Sequence, residues 1–151
     1  METAKGTVVS VNTSTEKGVP KVPQDKISLL EEHGVEGDAH ASSTWHRQVS
    51  LLSMASIERM REQGVEVAPG DLAENITIEG IDVHNLPIGT RLRFGLDVLL
   101  EISQIGKECH TGCAIQKRTG KCIMPTEGVF ARVINGGTVR PGDPVKTDGT
   151  H

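Results

Sequence analysis

Residues 90–103 read TRLRFGLDVLLEIS, and the alternation in this stretch decides the class of fold. Leu92 and Phe94 oppose Arg91 and Arg93, and Val98, Leu100 and Ile102 oppose Leu99 and Glu101. A period of two sends successive side chains to opposite faces, as in a half-buried strand. Upstream, NITIEG (75–80) puts Ile76 and Ile78 on one face and Thr77 and Glu79 on the other. Downstream, GVFARVI (128–134) repeats the pattern with Val129, Ala131 and Val133, and Asn135-Gly136-Gly137 then predicts a tight hairpin, because these residues tolerate positive φ. Turn signals recur at Gly37-Asp38, Pro69-Gly70-Asp71 and Pro141-Gly142-Asp143. Many short strands with frequent turns predict a mainly β protein, a barrel or sandwich rather than alternating βα units.

One segment breaks the pattern. SMASIERMREQG (53–64) offers Ser53 as N-cap, Ile57 and Met60 on one helical face, and Gly64 as a left-handed C-cap, which predicts a helix of about three turns. Residues Ala114 to Lys117 form a candidate second short helix. The polar stretch from Ser14 to Lys26, with Gly18, Pro20 and Pro23, reads as a loop after the first strand.

The chain has 151 residues, about the size of one domain with a single apolar core. Its opening, METAKGTVVSV, lacks the basic and apolar regions of a secretory signal, and no apolar run approaches the roughly 20 residues that cross a bilayer. A cytoplasmic protein with no membrane association is expected. The net charge of −4 argues against a general nucleic-acid binder, which needs a basic surplus for the phosphate backbone. Trp45, Phe94 and Phe130 are the only aromatic residues, so the core must come from Val, Ile, Leu and Met, and base-stacking platforms are absent.

All three cysteines fall within KECHTGCAIQKRTGKC (107–122). In a reducing compartment, an odd, clustered set points to a metal, catalytic or carrier site rather than a disulfide framework. Lys107, Lys117, Arg118 and Lys121 outnumber Glu108 here, and nearby cations favour a thiolate. Gly106, Gly112 and Gly120 give the segment the composition of an exposed loop, whereas a free cysteine is otherwise most often a small buried apolar residue. A structural zinc site needs four ligands. The spacings C-x3-C and C-x8-C supply three, so a fourth would come from His40, His46 or His33.

Two further constellations carry polar chemistry. In GVEGDAHASSTWHRQVSL (34–51), Asp38, His40, His46 and Arg47 gather before an apolar strand. Asp38 can cap a turn and the histidines can be ordinary loop residues, but an Arg at the start of such a strand calls for an anionic partner, and its planar fork suits carboxylate or phosphate. In PGDLAENITIEG (69–80), Glu74-Asn75 precedes a strand and can close a turn through the Asn side chain. Glu127, beside Gly128, is a turn carboxylate or a general base.

Taken in order, GVEGDAH, HRQVSLL, PGDLAENITIEG, LPIGTRLRFG, a strand running into KEC, and EGVFARVINGGTVRPGD resemble the MOSC domain, the module named after the carboxy-terminal region of molybdenum cofactor sulfurase. The resemblance runs from about Lys5 to Val145 and is greatest to short stand-alone bacterial members, so residues 1–151 are expected to be one MOSC domain with its core over about 5–145.

The resemblance implies a distorted β-barrel with one or two short helices. It also implies a cysteine at the end of the strand entering the site loop, which DVLLEISQIGKEC makes Cys109. In relatives that bind molybdenum cofactor this thiolate ligates the metal, and in proposed sulfur transfer it carries a persulfide. Both roles need a soft, deprotonated sulfur. Cys113 and Cys122 depart from the one-cysteine pattern and are candidates for resolving a persulfide or adding a ligand.

A molybdopterin-type ligand also asks for cations at its phosphate, here Arg47, Arg132 and Lys107, and for groups that match the pterin edge, here Asn75, Asp38 and His40. For Arg132 the bland reading is a solvated strand-face charge. The implied function is molybdenum cofactor binding or sulfur carriage, with a pterin cofactor or sulfur donor as small-molecule partner. A redox or cofactor-biosynthesis protein is the expected macromolecular partner. If the chain is an enzyme, it would be a molybdenum-dependent reductase component or a sulfur transferase. The alternative is a non-enzymatic module with a Cys/His zinc site.

Overall fold

The computed structural model describes residues 4–16, 20–39, 41, 48–106 and 127–150. Among them the strands are β1 (Lys5–Thr13), β2 (Val22–Gln24), β3 (Ile27–Leu30), β4 (Gly34–Val35), β5 (Val49–Ser53), β6 (Ile76–Glu79), β7 (Thr90–Phe94), β8 (Val98–Ile105), β9 (Val129–Asn135), β10 (Gly137–Val139) and β11 (Pro144–Thr150). Helix α1 (Met54–Glu62) follows β5, and a 3-10 turn spans Val83–Asn85.

Seven strands close into a barrel in the order β1-β6-β5-β9-β8-β7-β11, with β11 returning to β1 through Lys5↔Lys146, Gly6↔Val145 and Thr7↔Pro144. The mainly β expectation and the barrel are borne out. Register shifts in β1 against β6 and in β8 against β9 add the local twist that closure demands. Strand β2 extends the sheet at β1, while β10, β3 and β4 form a separate small sheet.

The neighbours in the barrel are antiparallel except β5 and β6, which pair in parallel through Leu51↔Ile76, Leu52↔Thr77 and Ser53↔Ile78. Two parallel strands cannot be joined by a tight turn, so the chain needs a crossover, and α1 lies within it. Ser53 caps the helix as expected, its hydroxyl accepting from the Ala55 N–H, and Gly64 takes φ +88 just past the end.

Alternate residues fill the barrel: Val49 and Leu51, Ile76 and Ile78, Leu92 and Phe94 are all buried in one cluster. A second cluster lies outside the wall, where Ile57 and Met60 of α1 meet Leu52 of β5 and Phe130 of β9. All five residues of β5 are consequently buried. Thr77, on the face of β6 opposite Ile76 and Ile78, is buried as well, its hydroxyl donating to the buried Glu74 carboxyl.

Two sequence expectations are corrected. Asn135-Gly136-Gly137 is no hairpin: β9 has β8 and β5 as its two neighbours, and β10 pairs with β3 instead. Glycine is needed here for another reason, since a Cβ on Gly136 would lie 2.4 Å from the Leu29 carbonyl oxygen. The Ser14–Lys26 stretch is not all loop, because β2 pairs with β1 from Val11↔Gln24 to Thr13↔Val22.

Candidate functional site

The cysteine segment leaves the barrel from β8 and returns into β9. The sequence extends this strand to Cys109, but β8 ends at Ile105 and Gly106 turns away at φ +75. The Gly106 N–H donates to the Gly128 carbonyl at 2.6 Å, and Gln104 Nε2 donates to the Gly106 carbonyl at 2.7 Å. The two ends of the segment are thus tied together at one rim of the wall. Cys109, Cys113, Cys122 and Lys107 lie outside the described residues, as do His40, His46, Arg47 and the candidate helix at 114–117.

Glu127, the first described residue after the segment, is held from two sides. Its Oε1 accepts from Ser56 Oγ at 2.6 Å and from the Arg59 guanidinium, both on α1, and lies 3.7 Å from His84 Nε2 on the 3-10 turn. Arg59 is about half exposed, whereas Glu127 and His84 are largely covered. His84 Nδ1 is buried with no hydrogen-bond partner among the described residues.

Asp38 is buried, and both its oxygens accept from Lys21 Nζ, at 2.9 and 3.1 Å. Oδ1 also accepts from the Ser14 N–H at 3.0 Å, and Lys21 Nζ donates to Ser14 Oγ at 3.0 Å. An ammonium and a carboxylate with no exposed side-chain surface must be paired and hydrogen-bonded to persist. This pair binds the Gly37-Asp38 turn to the strand end that follows β1.

Asn75 is equally enclosed. Its Oδ1 accepts from the Ser50 N–H at 3.0 Å and from Ser50 Oγ at 3.1 Å, and its Nδ2 donates to the Asn12 carbonyl at 3.1 Å. The side chain therefore stitches β1 to β5 just before β6 begins. Ala73 precedes it at φ 67, a conformation that costs a non-glycine residue about 1 kcal/mol or more and turns Glu74 inward.

Glu74 is fully buried; Thr77 Oγ1 donates to its Oε2 at 2.7 Å, and its Oε1 has no side-chain partner among the described residues. Loss of hydration drives its pKa above the ordinary carboxylate value, more than the bonds from Thr77 and the backbone lower it.

Arg132 lies on the outer face of β9. Its Nη2 donates to Glu32 Oε1 at 3.0 Å, its Nη1 is 4.0 Å from Glu101 Oε1, and its buried Nε has no partner among the described residues. Glu101 also accepts from Arg91 at 3.2 Å, so Arg91, Glu101 and Arg132 form a cross-strand ladder over β7, β8 and β9. Gln48 flanks Arg132, its N–H donating to the Ala131 carbonyl and its Oε1 accepting from the Val133 N–H.

Asp38 and Asn75 thus share the region where β1 ends, bound to Ser14 and to Asn12 respectively, while Arg132 belongs to the outer charge ladder. Sequence reasoning missed Lys21, His84, Ser56 and Arg59. Lys21 stands in a Pro-rich polar stretch that gives no hint of burial, and the other three acquire meaning only when α1 and the 3-10 turn meet Glu127. Among the described residues no three His, Cys, Asp or Glu side chains are grouped to hold a metal.

A closed barrel with one helix-bridged parallel pair, buried polar contacts beside it, and a twenty-residue segment entered and left at one rim defines a strand-rich domain. Over residues 33–146 the sequence matches the MOSC domain, and the chain belongs to the MOSC domain family.

Solved structures share the architecture. The YuaD protein of Bacillus subtilis superposes with a TM-score of 0.82 at 18% identity, covering 99% of each chain. YiiM of Geobacillus stearothermophilus gives a TM-score of 0.70 at 19% identity, over 95% of this chain and 75% of that one. YiiM of Escherichia coli gives 0.67 at 21% identity, over 97% and 71%. At these identities the likeness is one of fold. No curated protein sequence matches the chain. Among the described residues no helix is long and apolar enough to cross a membrane.

Proposed function

We propose that this MOSC domain binds molybdenum cofactor or carries sulfur through the thiolate of Cys109, in cofactor-related metabolism or sulfur transfer. The observation that carries the reading is the family match over residues 33–146, a span that includes all three cysteines. The tied strand ends at Gly106 and Gly128 agree with it, because they fix where the twenty residues that carry the cysteines leave and rejoin the barrel wall.

The residues fit such a group in kind. A thiolate among lysines suits a soft metal or a sulfane atom. At the phosphate end, Arg47, Lys107 and Arg132 are the proposed cations, although Arg132 already meets Glu32 and Glu101, so an anion there would compete with these carboxylates. At the pterin end His40 is the proposed contact, with Asp38 and Asn75 acting chiefly as supports, since their polar atoms are engaged by Lys21, Ser14, Ser50 and Asn12. The cofactor, when bound, would supply redox or sulfur chemistry. The chain's own residues would hold it, keep one sulfur deprotonated and fix the loop ends. Cys113 and Cys122 are proposed to resolve or support that sulfur. Electrons or sulfur would come from a partner protein in the cytoplasm.

Elemental analysis and pterin fluorescence of protein purified from molybdenum-replete cells test this reading. Molybdenum with pterin, or a persulfide on Cys109 by mass spectrometry, supports it; zinc without either leaves the structural-module reading instead. Cys109→Ser should abolish loading while Cys122→Ser retains it, and the reverse result would move the key thiol.

A further inference from the structure

The cluster around Glu127 lies at the base of the cysteine segment. We propose that Glu127 is a positioning residue that couples this segment to helix α1 and the 3-10 turn, an inference that rests on the thiol-based reading above.

Three side chains from two separate elements converge on one carboxylate. Ser56 and Arg59 of α1 donate to Glu127 Oε1, and His84 Nε2 of the 3-10 turn stands 3.7 Å from it. Helix α1 has no acidic residue in its own first turn, so this carboxylate, bonded to its third residue, supplies the negative charge that the helix N-terminus favours. Next to Glu127, the Gly128 carbonyl receives the Gly106 N–H at 2.6 Å. Backbone and side chain together therefore hold the segment's return point, one against β8 and the other against the helix. The buried Nδ1 of His84, with no partner among the described residues, marks a polar arrangement that packing alone does not require. A turn carboxylate with only a local role would bond its own backbone neighbours; Glu127 reaches side chains 71 and 68 residues away.

The test is the iodoacetamide alkylation rate of each cysteine in the full chain, resolved by mass spectrometry and followed across the pH range around an ordinary thiol. Glu127→Ala should change the rate at one or more of the three sites by about three- to fivefold, the scale on which a partly exposed ion pair and one hydroxyl bond act. Glu127→Gln keeps an oxygen for Ser56 and Arg59 and should restore most of the wild-type profile. Unchanged profiles in Glu127→Ala would overturn the proposal. So would an equal change in Ile57→Val, a core variant that loosens α1 without touching Glu127. Loss of molybdenum, pterin and persulfide from the wild type would defeat the functional reading alone, because the coupling is read from alkylation rates and not from loading.

Discussion

Lys21 Nζ lies 2.9 Å from Asp38 Oδ1, with neither side chain exposed, and this ion pair joins two loops that the sequence keeps apart. Removing one partner strands a charge in the interior. Asp38→Ala is expected to cost about 3–5 kcal/mol in urea denaturation, while a Lys21→Met/Asp38→Leu double variant should recover much of the loss. If each single change costs under about 1 kcal/mol, the pair does not brace these loops.

Glu74 makes stability depend on pH in an unusual sense. Burial favours its neutral form, so its contribution is fully present below the ordinary glutamate pKa and is lost as pH rises through the elevated folded value. Glu74→Gln mimics the protonated acid. Its urea midpoint should match that of wild type near pH 4 and exceed it increasingly toward neutrality, where about all unfolded glutamate is ionised. A constant difference across that range would mean that the carboxyl is already ionised in the fold.

Asn75 should behave as a structural rivet. Asn75→Ala takes the side-chain partner from the Ser50 N–H and the Asn12 carbonyl, at about 1–3 kcal/mol in total, while Ser50 Oγ keeps the Ala73 carbonyl as acceptor. Hydrogen exchange would report the site of damage: faster exchange at Ser50 and Asn12 than at Leu92 and Leu100 is expected, and uniform acceleration would contradict the assignment.

Gly136→Ala tests the close approach of β9 to the small sheet. A Cβ 2.4 Å from the Leu29 carbonyl forces β10 away from β3, for about 1–3 kcal/mol. Ala at Gly142, where φ is +93 but nothing lies within 4 Å, should cost only the backbone strain of about 1–2 kcal/mol. Comparable thermal-melting shifts accompanied by intact β3–β10 amide protection in both variants would show that the approach is not close in solution.

The barrel was largely legible because period two survives in the letters of β6 to β9, even where, as at Thr77, Leu99 and Phe130, the second face is buried as well. Leu92 and Phe94 against Arg91 and Arg93 illustrate this. Strand β5 keeps no such signature, since α1 covers its outer side and both faces are apolar or bonded. Asn135-Gly136-Gly137 misled because the same residues serve tight turns and close backbone approaches, and only the full pairing of β9 tells the two apart. In the site, the acidic and amide residues were visible but their partners were not. Lys21 meets Asp38 across 17 residues, and Ser56 meets Glu127 across 71, separations that no local pattern encodes.

The meeting of Lys5 with Lys146 sets the order of events during synthesis. Until β11 emerges from the ribosome, β1 and β7 each present a bare row of amides and carbonyls along the side that β11 will occupy. A nascent chain halted there would be a sticky, half-open sheet prone to pairing with its neighbours. The adjacency also makes Lys5 and Lys146 suitable points to splice, so a circularly permuted barrel reopened at the exposed turn around Leu96 should still assemble the same ring of strands.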